Sequence, residues 1–440
     1  MASLTKRGFS VVPFKVGPDF IDPGHHTRIT GRTSRNLDGW MLSKTYNWEC
    51  FKRNMQGADI AVVEGVMGLF DGYEGKSEAG STAQMAKWLG LPVILVVDAG
   101  SMARSAAALV RGFERFDPNL IFAGVLFNNV GSLRHLEYLK EALELNVKMT
   151  CLGGITHHEN LVIPERHLGL VTRGDYPLSS ETIDKLSDVI EEAIEVDALI
   201  DRLPDINAIG NSEPEDARHI TSQVRIGVAM DNAFCFYYQD NLDFLEASGA
   251  ELVFFSPIEQ NALPKNLDGI YLGGGYPELF AKQLSENETL RGEIKKVSMA
   301  GMPIYSECGG FMYLCREICD HNGNTYPMTG CFPFSTQMLP RLKALGYREI
   351  VFEKDTIIGK QGQTMRGHEF HYSELTEIPK GVETAYLVSP RSGVKKTEEG
   401  YRVARCLGSY IHLHFGSRPD AAKDFVRSCL EYKNEGISQR

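Results

Sequence analysis

The chain has 440 residues, 43% of them hydrophobic and 23% charged, with a formal net charge of −11. That length exceeds one ordinary core, so two domains are expected, and the composition is globular rather than disordered. The negative balance excludes general nucleic-acid binding but still allows a local basic patch around an anionic ligand.

In chain order, Ala2 to Lys6 read as the end of a helix, Gly8 as its stop and Phe9 to Val16 as a buried strand. A doubly wound domain ordinarily has a strand, a loop and most of a helix before such a point. Further strands are expected at DIAVVEGV, LPVILVVDA, LIFAGVLFNNV and MTCLGGI. Helices are expected between them at GSTAQMAKWLG, SMARSAAALVRGFERF and LRHLEYLKEALEL. Apolar strands joined by crossover helices predict a parallel sheet buried on both faces. The amphipathic segment SETIDKLSDVIEEAIEVDALIDRL closes this half, and PDINAIGNSEPEDARHITSQ reads as a linker.

A second α/β series starts at VRIGVAMD and runs through a helix near YQDNLDFLEASGA and the strands ELVFFS and GIYLGGG. One long helix, PELFAKQLSENETLRGEIKKVSMAG, leads to the strand MPIYSEC, a β-rich tail and a final helix DAAKDFVRSCLEY. The expected division is a first domain over 1–203, a linker over 204–223 and a second domain over 224–440. No run approaches the roughly 18 uncharged residues of a membrane span, and no secretory leader is visible. The nine cysteines are scattered without a C-x-x-C pair. Reduced thiols in a cytoplasmic protein without membrane partners are the expectation. No feature fixes the oligomeric state, and a homodimer is allowed.

Two constellations carry chemistry. In GMPIYSECGGFMYL, Cys308 follows an apolar strand and precedes a Gly-Gly helix start, the pattern of a nucleophile elbow. A helix N-terminus favours a thiolate and an oxyanion. SYIHLHFGS offers His412 and His414 as bases, with His412 preferred. The turn LGGGYPE, with Gly274 and Gly275, and Gly309 supply candidate oxyanion donors. A buried structural cysteine is the ordinary alternative.

In the first half, FKVGPDFIDPGHH places Lys15, Asp19 and Asp22 at a strand's carboxyl end, where open α/β sheets bind ligands. VVEGVMGLFDG does the same with Glu64 and Asp71. Glu64 is the expected Mg²⁺ ligand; the others are expected to hold substrate or phosphate. HHTRITGRTSRN, with His25, His26, Arg28, Arg32 and Arg35, reads as a basic loop suited to a polycarboxylate. Asn128 and Asn129 end another strand and either read an adenine ring or cap the next helix.

The Cys308 and histidine motifs resemble the class I glutamine amidotransferase domain, in which a cysteine forms a glutamyl thioester and a distal histidine activates it. Its usual H-x-E pattern is replaced here by HLH, leaving open what orients the imidazole. With KVGPDFIDPGHH and VEGVMGLFDG, the whole chain resembles the cobyrinate a,c-diamide synthase family. That resemblance implies an N-terminal P-loop-NTPase-like synthetase domain, similar to dethiobiotin synthetase, and a C-terminal glutaminase. It further implies a carbon–nitrogen ligase that uses ATP, Mg²⁺ and glutamine to amidate two acetate side chains of a corrin polycarboxylate in cobalamin biosynthesis. The alternatives are a nickel-sirohydrochlorin a,c-diamide synthase and a non-enzymatic tetrapyrrole- or nucleotide-binding relative. The family pattern also implies a G-x-x-x-x-G-K-[ST] phosphate loop ahead of the helix ending at Gly8, and no such segment occurs in these residues. The expectation is a natural protein that starts upstream of Met1; a chain lacking that loop would have little ATP-driven amidation.

Overall fold

The computed structural model describes residues 1–157, 165–166, 169–170, 178–204, 222–376, 378–389 and 396–438. The chain divides into two compact units, 1–215 and 216–440. Most of the expected linker, 205–221, lies outside the described residues.

The first unit opens with α1 (Ala2–Lys6), β1 (Val11–Val16), α2 (Asp22–Thr30), β2 (Arg35–Leu37), α3 (Lys44–Asn54) and β3 (Ile60–Glu64). It continues with α4 (Thr82–Leu89), β4 (Val93–Asp98), α5 (Ser105–Phe116), β5 (Phe122–Val130), α6 (Leu133–Glu144) and β6 (Cys151–Thr156). A small hairpin of β7 (Glu165–Arg166) and β8 (Gly169–Leu170), then α7 (Ser180–Ala193) and α8 (Val196–Ile200), complete it.

Its main strands form two parallel three-stranded sheets, β2-β1-β3 and β4-β5-β6, where the sequence predicts one. Helix α4 packs on both: Met85 and Leu89 join Val12, Phe14 and Val16, while Ala83 and Ala86 join Leu95 and Val97. Burial on both faces does not hold for β4. Leu95 and Val97 pack with α5 and α6, but Ile94 and Val96 on the opposite face are 40% and 60% exposed. The stretch read as a basic loop is largely the helix α2, ended by Gly31 at φ +70°. The predicted closing helix breaks at Ile194, which leaves helical geometry and bridges to Gly153.

The second unit contains β9 (Val224–Ala229), α9 (Gln239–Ala247), β10 (Ala250–Phe255), β11 (Gly269–Leu272), α10 (Ala281–Glu286), α11 (Glu288–Met299), β12 (Ile304–Glu307) and α12 (Gly309–Leu314). The β-rich tail supplies β13 (Glu317–Cys319), β14 (Thr325–Pro327), β15 (Thr336–Met338), β16 (Ala344–Phe352), β17 (Thr364–His371) and β18 (Ser373–Leu375). It ends with β19 (Glu383–Ser389), β20 (Thr397–Val403), β21 (Cys406–Ser409), β22 (Ile411–Leu413) and α13 (Asp420–Ser438).

Ten strands form one sheet in the order β10-β9-β11-β12-β21-β20-β19-β16-β17-β22. The run from β10 to β21 is parallel and the remainder antiparallel. Strands β11 and β12 are buried at every position, as central parallel strands require. The single helix expected over 277–301 is instead a 3₁₀ turn followed by α10 and α11, which ends at Met299. The break falls at Asn287, whose side chain accepts from Leu290 N–H and caps α11.

Candidate active site

In the second unit the site forms at the carboxyl end of β12, whose pairing with β21 ends at Glu307 opposite Ser409. Cys308 N–H donates to Ser409 C=O at 2.7 Å, and the chain turns at once into α12. The turn holds Cys308 at φ +45°, ψ −107°. A non-glycine residue there stores about 1–3 kcal/mol of strain, which the fixed ends of β12 and α12 sustain. The glycines behind it are required by close approach. A Cβ on Gly310 would lie 2.3 Å from Leu272 O, and one on Gly309 3.0 Å from Gly275 N and O.

The three expected oxyanion donors separate. Gly274 N–H is taken up by Phe236 C=O at 3.1 Å, so it is not a donor to the site. Its bareness serves another purpose, since a Cβ there would come within 2.3 Å of His412 Cε1. Gly275 and Gly309 lie against each other at the elbow, and Gly309 begins α12, where N–H groups have no intrahelical acceptor.

His412 and His414 also separate. His412, on β22, is buried and hydrogen-bonds with Cys308. Burial pulls its pKa down, but Cys308 and Glu307 outweigh burial and raise it to about 10. His414 follows the strand's end, and its Nδ1 accepts from Gly416 N–H at 3.0 Å, capping a 3₁₀ turn beside Tyr238. Burial lowers it to about 4, so it is neutral at pH 7.

The carboxylate beside His412 is Glu307, the residue before Cys308. Its Oε2 lies 3.7 Å from His412 Nδ1, an ion-pair rather than a hydrogen-bond distance. It is 1% exposed and accepts from Tyr305 Oη at 2.6 Å, Tyr271 Oη at 3.1 Å and Leu413 N–H at 3.1 Å. Three donors and one imidazolium compensate the burial of its charge.

Strand β17 runs beside the nucleophile. Cys308 Sγ donates to Phe370 C=O at 3.7 Å, and His368 stands opposite His412 in the ladder. Burial, then the charge on His412, lowers His368 to about 3. On the other face of β17, Glu369 accepts from His371 at 2.9 Å and from Arg348 at 2.6 Å. The alternation H-E-F-H in the sequence was the available signal for this strand.

In the first unit, Lys15, Asp19, Asp22, His26 and Glu64 come together at the carboxyl ends of β1 and β3. Lys15 is buried, bonded to Asp22, and within 3.5 Å of Asp19 and 3.4 Å of Glu64. Burial pulls its pKa down, but Glu64, Asp19 and Asp22 together raise it, so the ammonium stays charged. Burial and Asp22 push Asp19 up, whereas Lys15 holds Asp22 down against burial. His26 Nε2 lies 2.6 Å from Glu64 Oε2. Asn36, on β2, donates to Gly17 C=O at 2.9 Å and Asp19 C=O at 2.7 Å and fixes the loop.

The other expected ligands lie apart. Asp71 is exposed in the turn after β3, and Arg28 is exposed on α2, where His25 is buried. Arg32 donates to the carbonyls of Asn54, Gln56 and Gly57, closing the end of α3 rather than meeting a ligand. Asn128 C=O accepts from Ala99 N–H, and Asn129, at φ +56°, hydrogen-bonds Asp98. Neither caps the next helix, because Ser132 does.

Among the described residues no group of three or more His, Cys, Asp or Glu side chains is arranged to hold a metal ion. That donor set suits Mg²⁺ only in its usual mode with a nucleotide, one or two carboxylates plus phosphate oxygens and water. Glu64, whose side chain is 43% exposed, fits that mode; Asp22, held by Lys15, does not. No helix among the described residues is long and apolar enough to cross a membrane.

Residues 1–171 match the CobQ/CobB/MinD/ParA nucleotide binding domain, and residues 225–420 match the CobB/CobQ-like glutamine amidotransferase domain. A cobyrinate a,c-diamide synthase of Syntrophotalea carbinolica is 46% identical over 431 residues, covering 97% of this chain and 94% of that protein. One of Leptospira interrogans is 42% identical over 434 residues, covering 97% and 93%. One of Methanosarcina acetivorans is 42% identical over 460 residues, covering 98% and 92%. With both halves matched to the expected domains and these relatives aligned along almost their full length, the chain belongs to the cobyrinate a,c-diamide synthase family.

Proposed function

We propose that the chain is a glutamine-hydrolysing ligase that amidates the a and c acetate side chains of cobyrinate in cobalamin biosynthesis. One observation carries the chemistry: a strained Cys308 at a helix N-terminus, hydrogen-bonded to a buried His412 that Glu307 holds in place. A binding protein without catalysis has no use for that arrangement. The names of the relatives favour cobyrinate over a nickel porphinoid.

In the second unit Cys308 Sγ attacks the glutamine amide carbon while its proton already rests on His412. The oxygen that becomes negative is received by the N–H groups of Gly275 and Gly309. His412 returns the proton to the departing nitrogen, ammonia leaves, and water then releases glutamate from the thioester. In the first unit the reacting carboxylate of cobyrinate takes a phosphoryl group from ATP, because a bare carboxylate is a poor electrophile. Ammonia then displaces phosphate and leaves the amide. Lys15, kept charged by its carboxylate neighbours, offsets the charge on the transferring phosphoryl group. Mg²⁺, when bound with the nucleotide, would neutralise phosphate charge, and Glu64 is the carboxylate that would hold it. Asp19, Asp22 and His26 order Lys15 and Glu64 around the reacting groups. ATP and glutamine as co-substrates, with scattered cysteines and no C-x-x-C pair, fit a cytoplasmic enzyme.

The direct test is incubation of the enzyme, with a phosphate-loop segment in place, with cobyrinate, ATP, Mg²⁺ and glutamine, followed by mass spectrometry. Two successive replacements of a carboxylate hydroxyl by an amide are expected; no amidation of cobyrinate under conditions where glutamine is hydrolysed contradicts the substrate assignment.

Glu307→Gln provides a sharper test of the second unit. The substitution keeps the shape and removes the charge that helps hold His412 protonated, so burial is left to lower the imidazole's pKa. Glutaminase kcat is expected to fall by about 10- to 100-fold, with the His412-dependent limb of the pH–rate profile moving to lower pH. An unmoved profile contradicts the orienting role even if the rate falls.

A further inference from the structure

Resting on the amidase reading above, we infer that Trp40 and Tyr73 form the platform against which the macrocycle of cobyrinate packs. The two rings stack with centroids 5.0 Å apart and planes 22° from parallel. Trp40 follows the carboxyl end of β2 and Tyr73 follows that of β3, strands of the same parallel sheet as β1. The pair therefore stands at the sheet end that carries Lys15, Asp22 and Glu64.

The two rings differ from the aromatic side chains that pack onto the cores of this unit. Trp48 and Trp88 pack onto the core around Phe14 and Phe51, and Phe70 and Phe113 pack onto the core around Val97. Trp40 and Tyr73 belong to neither core and are only half-buried. Ordinary loop packing would leave such a pair free to drift, but here both backbones are tied down. Asp38, 0% exposed, accepts from Trp40 N–H at 2.8 Å and Met41 N–H at 2.6 Å, and Asn47 brackets Asp38 from both sides. Tyr73 N–H donates to Ala79 C=O at 2.7 Å, and Gly80 N–H donates to Gln84 at 2.9 Å. Gly39 touches the same Gln84, since a Cβ there would lie 2.0 Å from Oε1. One side chain of α4 thus holds both loops in register.

A held, half-exposed aromatic pair amid polar loops suits a ligand with a broad apolar body and charged edges. Cobyrinate is such a molecule, with carboxylates around a macrocycle. Packing its body on the rings leaves its acetate groups to reach the charged residues at the same sheet end.

The test is equilibrium dialysis of cobyrinate against the whole chain, read by corrin absorbance, for wild type, Trp40→Ala, Trp40→Phe and Tyr73→Ala. Trp40→Ala and Tyr73→Ala are each expected to weaken binding by about tenfold or more, and Trp40→Phe to restore most of it. Melting temperatures accompany each variant. Where Trp40→Ala lowers the melting temperature, Tyr73→Ala decides by the same criterion. Wild-type affinity in a folded Trp40→Ala or Tyr73→Ala variant overturns the platform while leaving the amidase reading intact. Wild-type protein that neither binds nor amidates cobyrinate removes that reading, and the platform with it.

Discussion

In an enzyme with its phosphate loop in place, replacing Cys308 by Ala abolishes glutamine-dependent amidation and glutaminase activity, by about 10⁴-fold or more, and leaves ammonium-driven amidation within about twofold. The loss is large because no other nucleophile stands at the elbow. Cys315 is fully buried at the far end of α12, and burial, ahead of its neighbours, raises its pKa. The substitution also leaves the backbone as it was, since Ala carries the same Cβ as Cys at φ +45°. Folding is therefore preserved, and the ammonium reaction reports on the first unit alone. Parallel assays with glutamine and with ammonium chloride decide the matter. Loss of both activities contradicts the division of labour between the two units.

The converse result is expected from Glu64→Gln: ligation with either nitrogen source falls by about 10²- to 10³-fold, and glutaminase activity is retained. The amide side chain keeps a hydrogen-bonding oxygen for Lys15 and His26 but lacks the charge that would hold Mg²⁺ against the phosphates. Lys15, losing one of the three carboxylates that raise its pKa, also becomes easier to deprotonate. Ammonium-dependent ligation measured across a range of Mg²⁺ concentrations separates the causes. A loss recovered at high Mg²⁺ marks weakened metal binding; unchanged ligation removes Glu64 from the metal site.

Much of the fold was legible because buried parallel strands write themselves as unbroken Val, Ile and Leu. β1, β3, β4 and β5 fall within the predicted runs, and β6 overruns its run only by Thr156. What escaped was short or polar. The strand β2 is only Arg-Asn-Leu, and α3, KTYNWECFKRN, has few apolar positions and is marked chiefly by its Ser43 cap. The second catalytic constellation divided in the same manner. Cys308 announced itself through the residues beside it, whereas a period of two assigns His412 and His414 to one face. The chain breaks that period by leaving β22 after Leu413, so His414 turns to cap the next segment. Glu307 was invisible because two of the groups identifying its role, Tyr271 and Leu413, come from other strands, β11 and β22. The carboxylates near Lys15 were recovered by their strand ends, but Asp71, placed by the same logic, is exposed and is not among the carboxylates that pair with Lys15.

Glu307 and Cys308 are consecutive residues, so the attacking sulfur and the anchor of its proton carrier ride on one peptide unit. A rigid displacement of that unit, as β12 shifts within its sheet, moves the two together and preserves their relation. The spacing most exposed to error is instead the one to β22, whose His412 must follow from a different part of the chain. Drift between those two segments, rather than motion of the elbow itself, is where nitrogen release is most easily throttled.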